Sequence, residues 1–237
     1  MRSRASTLLA CAIAVLASTV DPAGAEWAID FYGGASWTQS ADLRVTGRDD
    51  TGASVQASIF DIATDTGWTA GLRAGYWLDS LPFLGLGLDV FYFSIPIPSQ
   101  TTSATGTLNG EILGKPISID AAGQARVPSV TLPGVGFSPD IRLRLPLLTS
   151  DAAPQGRLQP YLTGGPAWAF TLKGNEVDVV FGGKVGAGLS VVLVRPLALF
   201  AEYRYTFFPD FTFSQRDLSF KADLNTHNAV VGVSLRF

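Results

Sequence analysis

One cysteine, one histidine and one methionine are all that 237 residues contain. Cys11 is the lone thiol, so the chain beyond it can form no disulfide and offers no thiolate metal ligand. His227 is the lone imidazole, which removes every metal site built on a histidine pair. No metal and no cofactor is therefore expected. Charge is also scarce: 16% of residues are Asp, Glu, Lys or Arg, and the formal net charge is −3. That balance lacks the clustered basic surface that nucleic acid requires. Long apolar runs are missing after the first 25 residues, where no stretch approaches the roughly 20 continuous apolar residues of a spanning helix. Helical signals are weak as well, because 25 glycines and 14 prolines, most of the prolines near segment ends, interrupt any such run.

The N-terminus is the exception to the shortage of apolar runs. Met1-Arg-Ser-Arg4 is basic, Leu8 to Val20 is apolar, and Asp21-Pro-Ala-Gly-Ala25 ends in small residues. This order is that of a secretory signal peptide, too short to span a bilayer, and it places the start of the mature domain near Glu26. Residues 1–25 are thus expected to be a cleaved signal and residues 26–237 a single domain.

What the domain does contain is alternation. Apolar content is 47%, yet it is spread over every second residue, and side chains two apart share one face of a strand. Trp27, Ile29, Phe31, Gly33, Ala35 and Trp37 form one face of a first strand, while Ala28, Asp30, Tyr32, Gly34 and Ser36 form the other. Its two tryptophans stand ten residues apart, roughly 33 Å along an extended strand, which projects to roughly 25 Å at a tilt of about 40°. That is the height of a lipid-facing band between two aromatic girdles. The same pattern recurs over about 68–78, 84–93, 127–145, 158–172, 181–193, 197–207 and 227–237. The fold expected is all-β: an eight-stranded antiparallel up-and-down transmembrane β-barrel. Long loops are expected over about 38–65, 95–126 and 209–222, with Gly106 to Ile119 suggestive of a hairpin, and short turns at the opposite rim. Trp27, Trp37, Trp68, Tyr76, Tyr92, Trp168 and Tyr203 supply the girdle.

Two further stretches carry a family resemblance. The chain ends His227-Asn-Ala-Val-Val-Gly232-Val-Ser-Leu235-Arg-Phe237, with Ala229, Val231, Val233, Leu235 and Phe237 on one face, and strand seven contains Ala201-Glu-Tyr-Arg-Tyr205. With the signal peptide, these resemble the small outer-membrane β-barrel proteins (OmpA-like, porin-family), and a barrel without a periplasmic domain is expected. Leu235 departs from the aromatic common at that position, and Val230 from a polar residue. The resemblance implies that Gly232, Leu235 and Phe237 act as the assembly signal read by the barrel-assembly machinery. It also implies a location in the cell outer membrane of a Gram-negative envelope, among outer-membrane lipid and lipopolysaccharide, as a monomer.

Chemistry is harder to find. Asp30, Arg73, Asp89, Asp140, Arg142, Arg144, Lys184, Glu202 and Arg204 fall on the inward face, and an eight-stranded lumen is about filled by its own side chains. A mutually neutralising network is expected there, with a narrow solute path as the alternative. Gly182-Gly-Lys-Val-Gly-Ala-Gly188 opens no helix, so it is no phosphate loop; its glycines relieve crowding in the lumen. Lipid A deacylases use a His-x-Ser motif, but the residue two after His227 is Ala229, so the nucleophile is missing. His227 reads as a girdle residue. Asp49, Asp50, Asp61 and Asp65 lie in the first loop without calcium-loop spacing. The function expected is structural or surface-interaction, including an extracellular ligand met through the loops. A narrow porin-like channel comes second, and no enzyme activity is expected, a lipid A-modifying enzyme being the weakest reading.

Overall fold

The structure is a computed structural model and describes residues 26–48, 54–112, 115–150, 153–173, 176–215 and 218–237. The expected signal peptide lies outside these residues, as do Asp49 and Asp50. Twelve strands follow one another: β1 (Glu26–Thr38), β2 (Ala41–Arg48), β3 (Ser54–Ile62), β4 (Gly67–Trp77), β5 (Leu84–Ile97), β6 (Gln100–Ile112), β7 (Lys115–Val127), β8 (Val130–Arg144), β9 (Leu158–Lys173), β10 (Glu176–Val194), β11 (Leu197–Gln215) and β12 (Leu218–Arg236). Eight of them, β1-β4-β5-β8-β9-β10-β11-β12, pair antiparallel in that order, and β12 returns to β1, closing the barrel.

The register sets the barrel's dimensions. From Trp27 the cross-strand pairs run through Tyr76, Leu86, Ile141, Gly164, Val185, Tyr205 and His227, and come back to β1 at Trp37. The path climbs ten residues in one circuit, which is the shear number. Eight strands with that shear tilt by about 41° and give a backbone radius of about 8 Å. Such a cylinder has room for side chains and little else.

Alternation decides what faces inward. In β4, Trp68, Leu72 and Ala74 are exposed while Thr69, Arg73, Gly75 and Trp77 are buried; in β8, Ile141 and Leu143 are exposed while Asp140, Arg142 and Arg144 are buried. This is an inverted arrangement, with apolar residues outward and charges inside, as suits a wall facing lipid. Glycines on the inward face seat the rings of neighbouring strands. A Cβ on Gly136 would stand 2.2 Å from the Phe91 ring, and one on Gly188 2.5 Å from the Tyr161 ring, so neither position has room for a side chain.

The stretches expected to be long loops are largely strand. Residues 38–65 hold the β2–β3 hairpin, residues 95–126 hold most of β6 and β7, and residues 209–222 hold the outer ends of β11 and β12. These strands carry the barrel wall outward. Ile97↔Val130 at the outer end of β5–β8 is followed by Gln100↔Val127 in β6–β7 with no register shift. β2 pairs with the outer end of β12, and β6 pairs with β3. Beyond the rim the order is therefore β11-β12-β2-β3-β6-β7, a six-stranded open wall. The apolar stripe that marks a lipid-facing strand is lost there: Arg44 and Thr46 pair with Ser58 and Gln56 on one polar face that also carries Asp42, and these read from sequence as loop.

Candidate functional site: the lumen and its outer wall

All nine inward charges singled out from the sequence are buried. Eight of them form one chain of alternating sign. Lys184 lies between Asp140 (2.8 Å) and Asp89. Arg204 joins Asp89 (3.3 Å) to Glu202 (2.8 Å), and Arg73 joins Glu202 (2.9 Å) to Asp30 (2.9 Å). Arg142 ends the chain at Asp30, 3.2 Å away. Both ends, Asp140 and Arg142, stand two residues apart on β8, so the chain crosses the lumen back and forth and finishes on the strand where it began. Four anions and four cations make it neutral.

Removing eight charges from bulk water costs several kcal/mol per ion, about 20 in the idealised low-dielectric limit. The arrangement offsets that cost by giving most of the ions two or more partners, while Arg142, with its Nε and Nη1 buried and without a hydrogen bond, has the Asp30 ion pair alone. Glu202 is the hub: it accepts from Arg73 Nη1 at 2.9 Å, from Arg204 Nε and Nη2 at 2.9 and 2.8 Å, and from the Tyr161 hydroxyl at 2.8 Å. Tyr32 donates to Asp89 Oδ1 (2.8 Å) and accepts from Arg204 Nη1 (2.8 Å). Rings cover the cations as well, with Arg204 4.6 Å from the Tyr32 centroid and Arg142 5.1 Å from that of Trp77. The two tyrosines are the members that charge counting alone missed. Their signal was a phenol on the charged stripe.

Arg144, the ninth, belongs to a separate cluster nearer the short-turn rim. It pairs with Glu26 (2.7 Å) and donates to the Pro82 carbonyl (2.8 Å) and to Gln155. Arg236 shares Glu26 at 3.3 Å and donates to Gln159 and Ser190, both at 2.8 Å. Two guanidiniums on one carboxylate leave this cluster one positive charge in surplus. Neither Glu26 nor Arg236 was among the residues singled out, although Arg236 lies on the inward parity of β12.

Toward the long-hairpin rim the lumen changes character. Phe91, Phe93, Ile95, Val180, Phe208 and Leu224 are buried in one apolar cluster with Ala167 and Ala169, and Leu132 packs against it. Phe93 and Phe208 stack with centroids 6.4 Å apart. The interior thus has two layers: an ion ring, and above it an apolar lid.

The aromatic residues singled out as girdle stand on the outer surface at the two rims. Trp27 packs on Tyr76 (centroids 4.9 Å apart) at the short-turn rim, and Trp68 on Tyr92 (4.5 Å) at the other. Trp168 lies between Phe137 and Phe181. His227 joins this belt: Nδ1 shares a 2.6 Å hydrogen bond with the Tyr203 hydroxyl and Nε2 a 2.9 Å contact with the Gln39 amide, while the Tyr205 ring lies 5.0 Å away. The C-terminal strand completes the seam, for Phe237 N–H donates to the Trp27 carbonyl (2.9 Å) and Trp27 N–H to the Phe237 carbonyl (3.0 Å). Gly232 faces inward under the Phe200 ring and pairs with Tyr32, and Leu235 pairs with Ile29. Among the described residues no group of three or more metal-ligating side chains comes together.

Comparisons with known proteins place this architecture. The chain is similar to the N-terminal β-barrel domain of Pseudomonas aeruginosa OprF, at 12% identity over 90% of this chain and 97% of that one, with a TM-score of 0.44. It is also similar to OprG of the same organism (9% identity, 90% and 96% covered, TM-score 0.45) and to Neisserial surface protein A (13%, 90% and 99%, TM-score 0.42). No curated protein matches it. The family described as outer membrane protein beta-barrel domain matches residues 7–237. The chain therefore belongs to the outer-membrane protein β-barrel domain family, and its place is the outer membrane.

Proposed function

We propose that the protein is a closed outer-membrane anchor that presents a β-wall for contacts at the cell surface. The observation that supports this most is the continuity of the β5–β8 register into β6–β7, above a lumen filled by an ion ring and an apolar lid. A pore needs a continuous wet path, and this interior buries its charges in pairs. A wall standing above the girdle with one polar face is suited to meeting something outside the lipid.

Two measurements on the folded full chain test this. Planar bilayers holding it should show no steady conductance. A cysteine introduced as Thr105→Cys on β6 should react with a membrane-impermeant maleimide on intact cells. An ohmic wild-type channel, or a Thr105→Cys variant that labels only after the cells are opened, would overturn the reading.

A narrow channel is the second reading, and the surplus charge of the Arg144–Glu26–Arg236 cluster favours it. A path past those guanidiniums would select anions, so conductance with anion preference would replace the first reading with this one.

A further inference from the structure

The extended wall ends at β7. The strand order beyond the rim stops there, and among the described residues β7 pairs with β6 alone. Its other edge carries a row of backbone N–H and C=O groups with no ladder partner, along a strand of 13 residues. Proteins blunt such edges with lysine, proline or a bulge. In β7 the lysine and the proline are Lys115 and Pro116 at the far tip, and the β6–β7 register runs from Gln100↔Val127 to Ile112↔Lys115 without a shift. Nearer the barrel the edge is bare. Ala121, Ala122, Gly123 and Gln124 are exposed, and a Cβ added at Gly123 would meet nothing within 4 Å.

The sequence of this edge is self-complementary. It reads Ile119-Asp-Ala-Ala-Gly123-Gln-Ala-Arg-Val127. An antiparallel partner of the same sequence, centred on Gly123, sets Val127 opposite Ile119, Arg126 opposite Asp120 and Ala125 opposite Ala121. The two-fold symmetry of such a pair repeats each contact. Moving the centre to Ala122 or Gln124 puts Arg126 opposite Ser118 or Ala122, so both charge pairs belong to the Gly123 register alone. Arg126 is exposed and, among the described residues, makes no ion pair or hydrogen bond, which leaves its guanidinium available to a carboxylate. Opposite charges directly across a strand pair stabilise it, and like charges there weaken it.

We propose that β7 is a homophilic contact, pairing antiparallel about Gly123 with β7 of a second copy of this chain and joining the two walls into one sheet. The direction of the strand decides where that second copy stands. β7 returns from the tip toward β8 of its own barrel, and an antiparallel partner runs the opposite way. Two barrels in one membrane hold their walls in the same sense, so the partner belongs to a facing membrane. Gly123 lies twelve residues beyond Val135, which pairs with Tyr92 of the outer girdle. That separation is roughly 40 Å along the strand and roughly 30 Å along the barrel axis at the tilt set by the shear. The outer girdles of the two copies then stand about 60 Å apart. This names a partner for the surface contact proposed above and rests on that reading, and it replaces the monomer expected from the sequence.

The test uses the folded full chain in phosphatidylcholine vesicles, with clustering read as turbidity. Wild-type vesicles should cluster. Arg126→Glu and Asp120→Lys each set like charges opposite one another at both contacts, and each should cluster about tenfold less. Vesicles of Arg126→Glu mixed with vesicles of Asp120→Lys should cluster like the wild type, because every mixed pair restores both charge contacts; this arm also shows that the two variants are folded. Under mild oxidation Gly123→Cys should form a disulfide-linked dimer, since residues directly opposed in an antiparallel pair lie within disulfide reach. Ser103→Cys, on β6 opposite Gln124, should not. With Gly123→Cys vesicles carrying two different dyes, the dimer should link the two colours. Wild-type vesicles that stay apart, variants that cluster like the wild type, or a mixture that stays dispersed would overturn the contact. Gly123→Cys dimers no more abundant than those of Ser103→Cys would overturn the register, and dimers confined to one vesicle would overturn the facing arrangement. Labelling of Thr105→Cys on intact cells separates the failures: a labelled wall whose vesicles stay apart refutes this inference alone, and an unlabelled wall refutes the surface reading beneath it.

Discussion

Replacing Glu202 by alanine is the sharpest perturbation of the ion ring. It removes four hydrogen bonds at once: three from guanidinium N–H groups of Arg73 and Arg204, and one from the Tyr161 hydroxyl. Arg73 keeps Asp30, and Arg204 keeps Asp89 at 3.3 Å, so neither cation is wholly abandoned. The ring nevertheless passes from neutral to one positive charge in excess, inside a cylinder of about 8 Å radius. Breaking a buried pair by removing one partner costs about 3–5 kcal/mol. With a urea dependence of about 2 kcal/mol per molar, the unfolding midpoint of the barrel in detergent should fall by about 2 M. Adding Arg204→Ala restores neutrality, so the double variant should be less destabilised than the sum of the two single changes. A Glu202→Ala midpoint within about 0.3 M of wild type, in a measurement with the urea dependence given above, would refute the reasoning. It would mean that water in the lumen screens these charges and that the ring contributes little.

Other expectations follow from particular contacts. Gly136→Val sets a Cβ 2.2 Å from the Phe91 ring and should abolish the heat-modifiable band in gels, whereas Gly123→Ala, with nothing within 4 Å, should shift stability by less than about 0.5 kcal/mol. The two layers of the lumen should block independently. Phe93→Ala/Phe208→Ala should remain silent in planar bilayers, and should conduct when Glu202→Ala is added; conductance from the phenylalanine pair alone would show that the ring is no barrier. Deleting Phe237 removes both backbone hydrogen bonds to Trp27 at the seam and should impair membrane assembly far more than His227→Ala. The latter loses contacts with Tyr203, Gln39 and the Tyr205 ring on the outer surface, and equal assembly yields would contradict this account.

The sequence by itself determined the inside and the outside of the wall. A strand has a side-chain period of two, so Asp30, Arg73, Asp140 and Glu202 on one parity and Trp27, Leu72, Ile141 and Tyr203 on the other are readable residue by residue. The eight membrane strands were legible for the same reason, since lipid on the outer face demands an unbroken apolar stripe. Beyond the girdle that demand ends. Asp42, Arg44 and Thr46 on one side of β2 face water, and a strand with a polar face looks like a loop, so β2 and β3 emerged only in the structure, while of β6 and β7 the sequence suggested a hairpin over Gly106 to Ile119 and not its full length. Pairing within the lumen was equally hidden. Asp30, Arg73 and Glu202 lie 43 and 129 residues apart in sequence, and only a shear of ten brings them to one level. Composition says that charges of both signs face inward. The closed register decides that they alternate in sign across the lumen, that Tyr32 and Tyr161 bind into them, and that Arg44 is brought into line with Ser58 and Thr105.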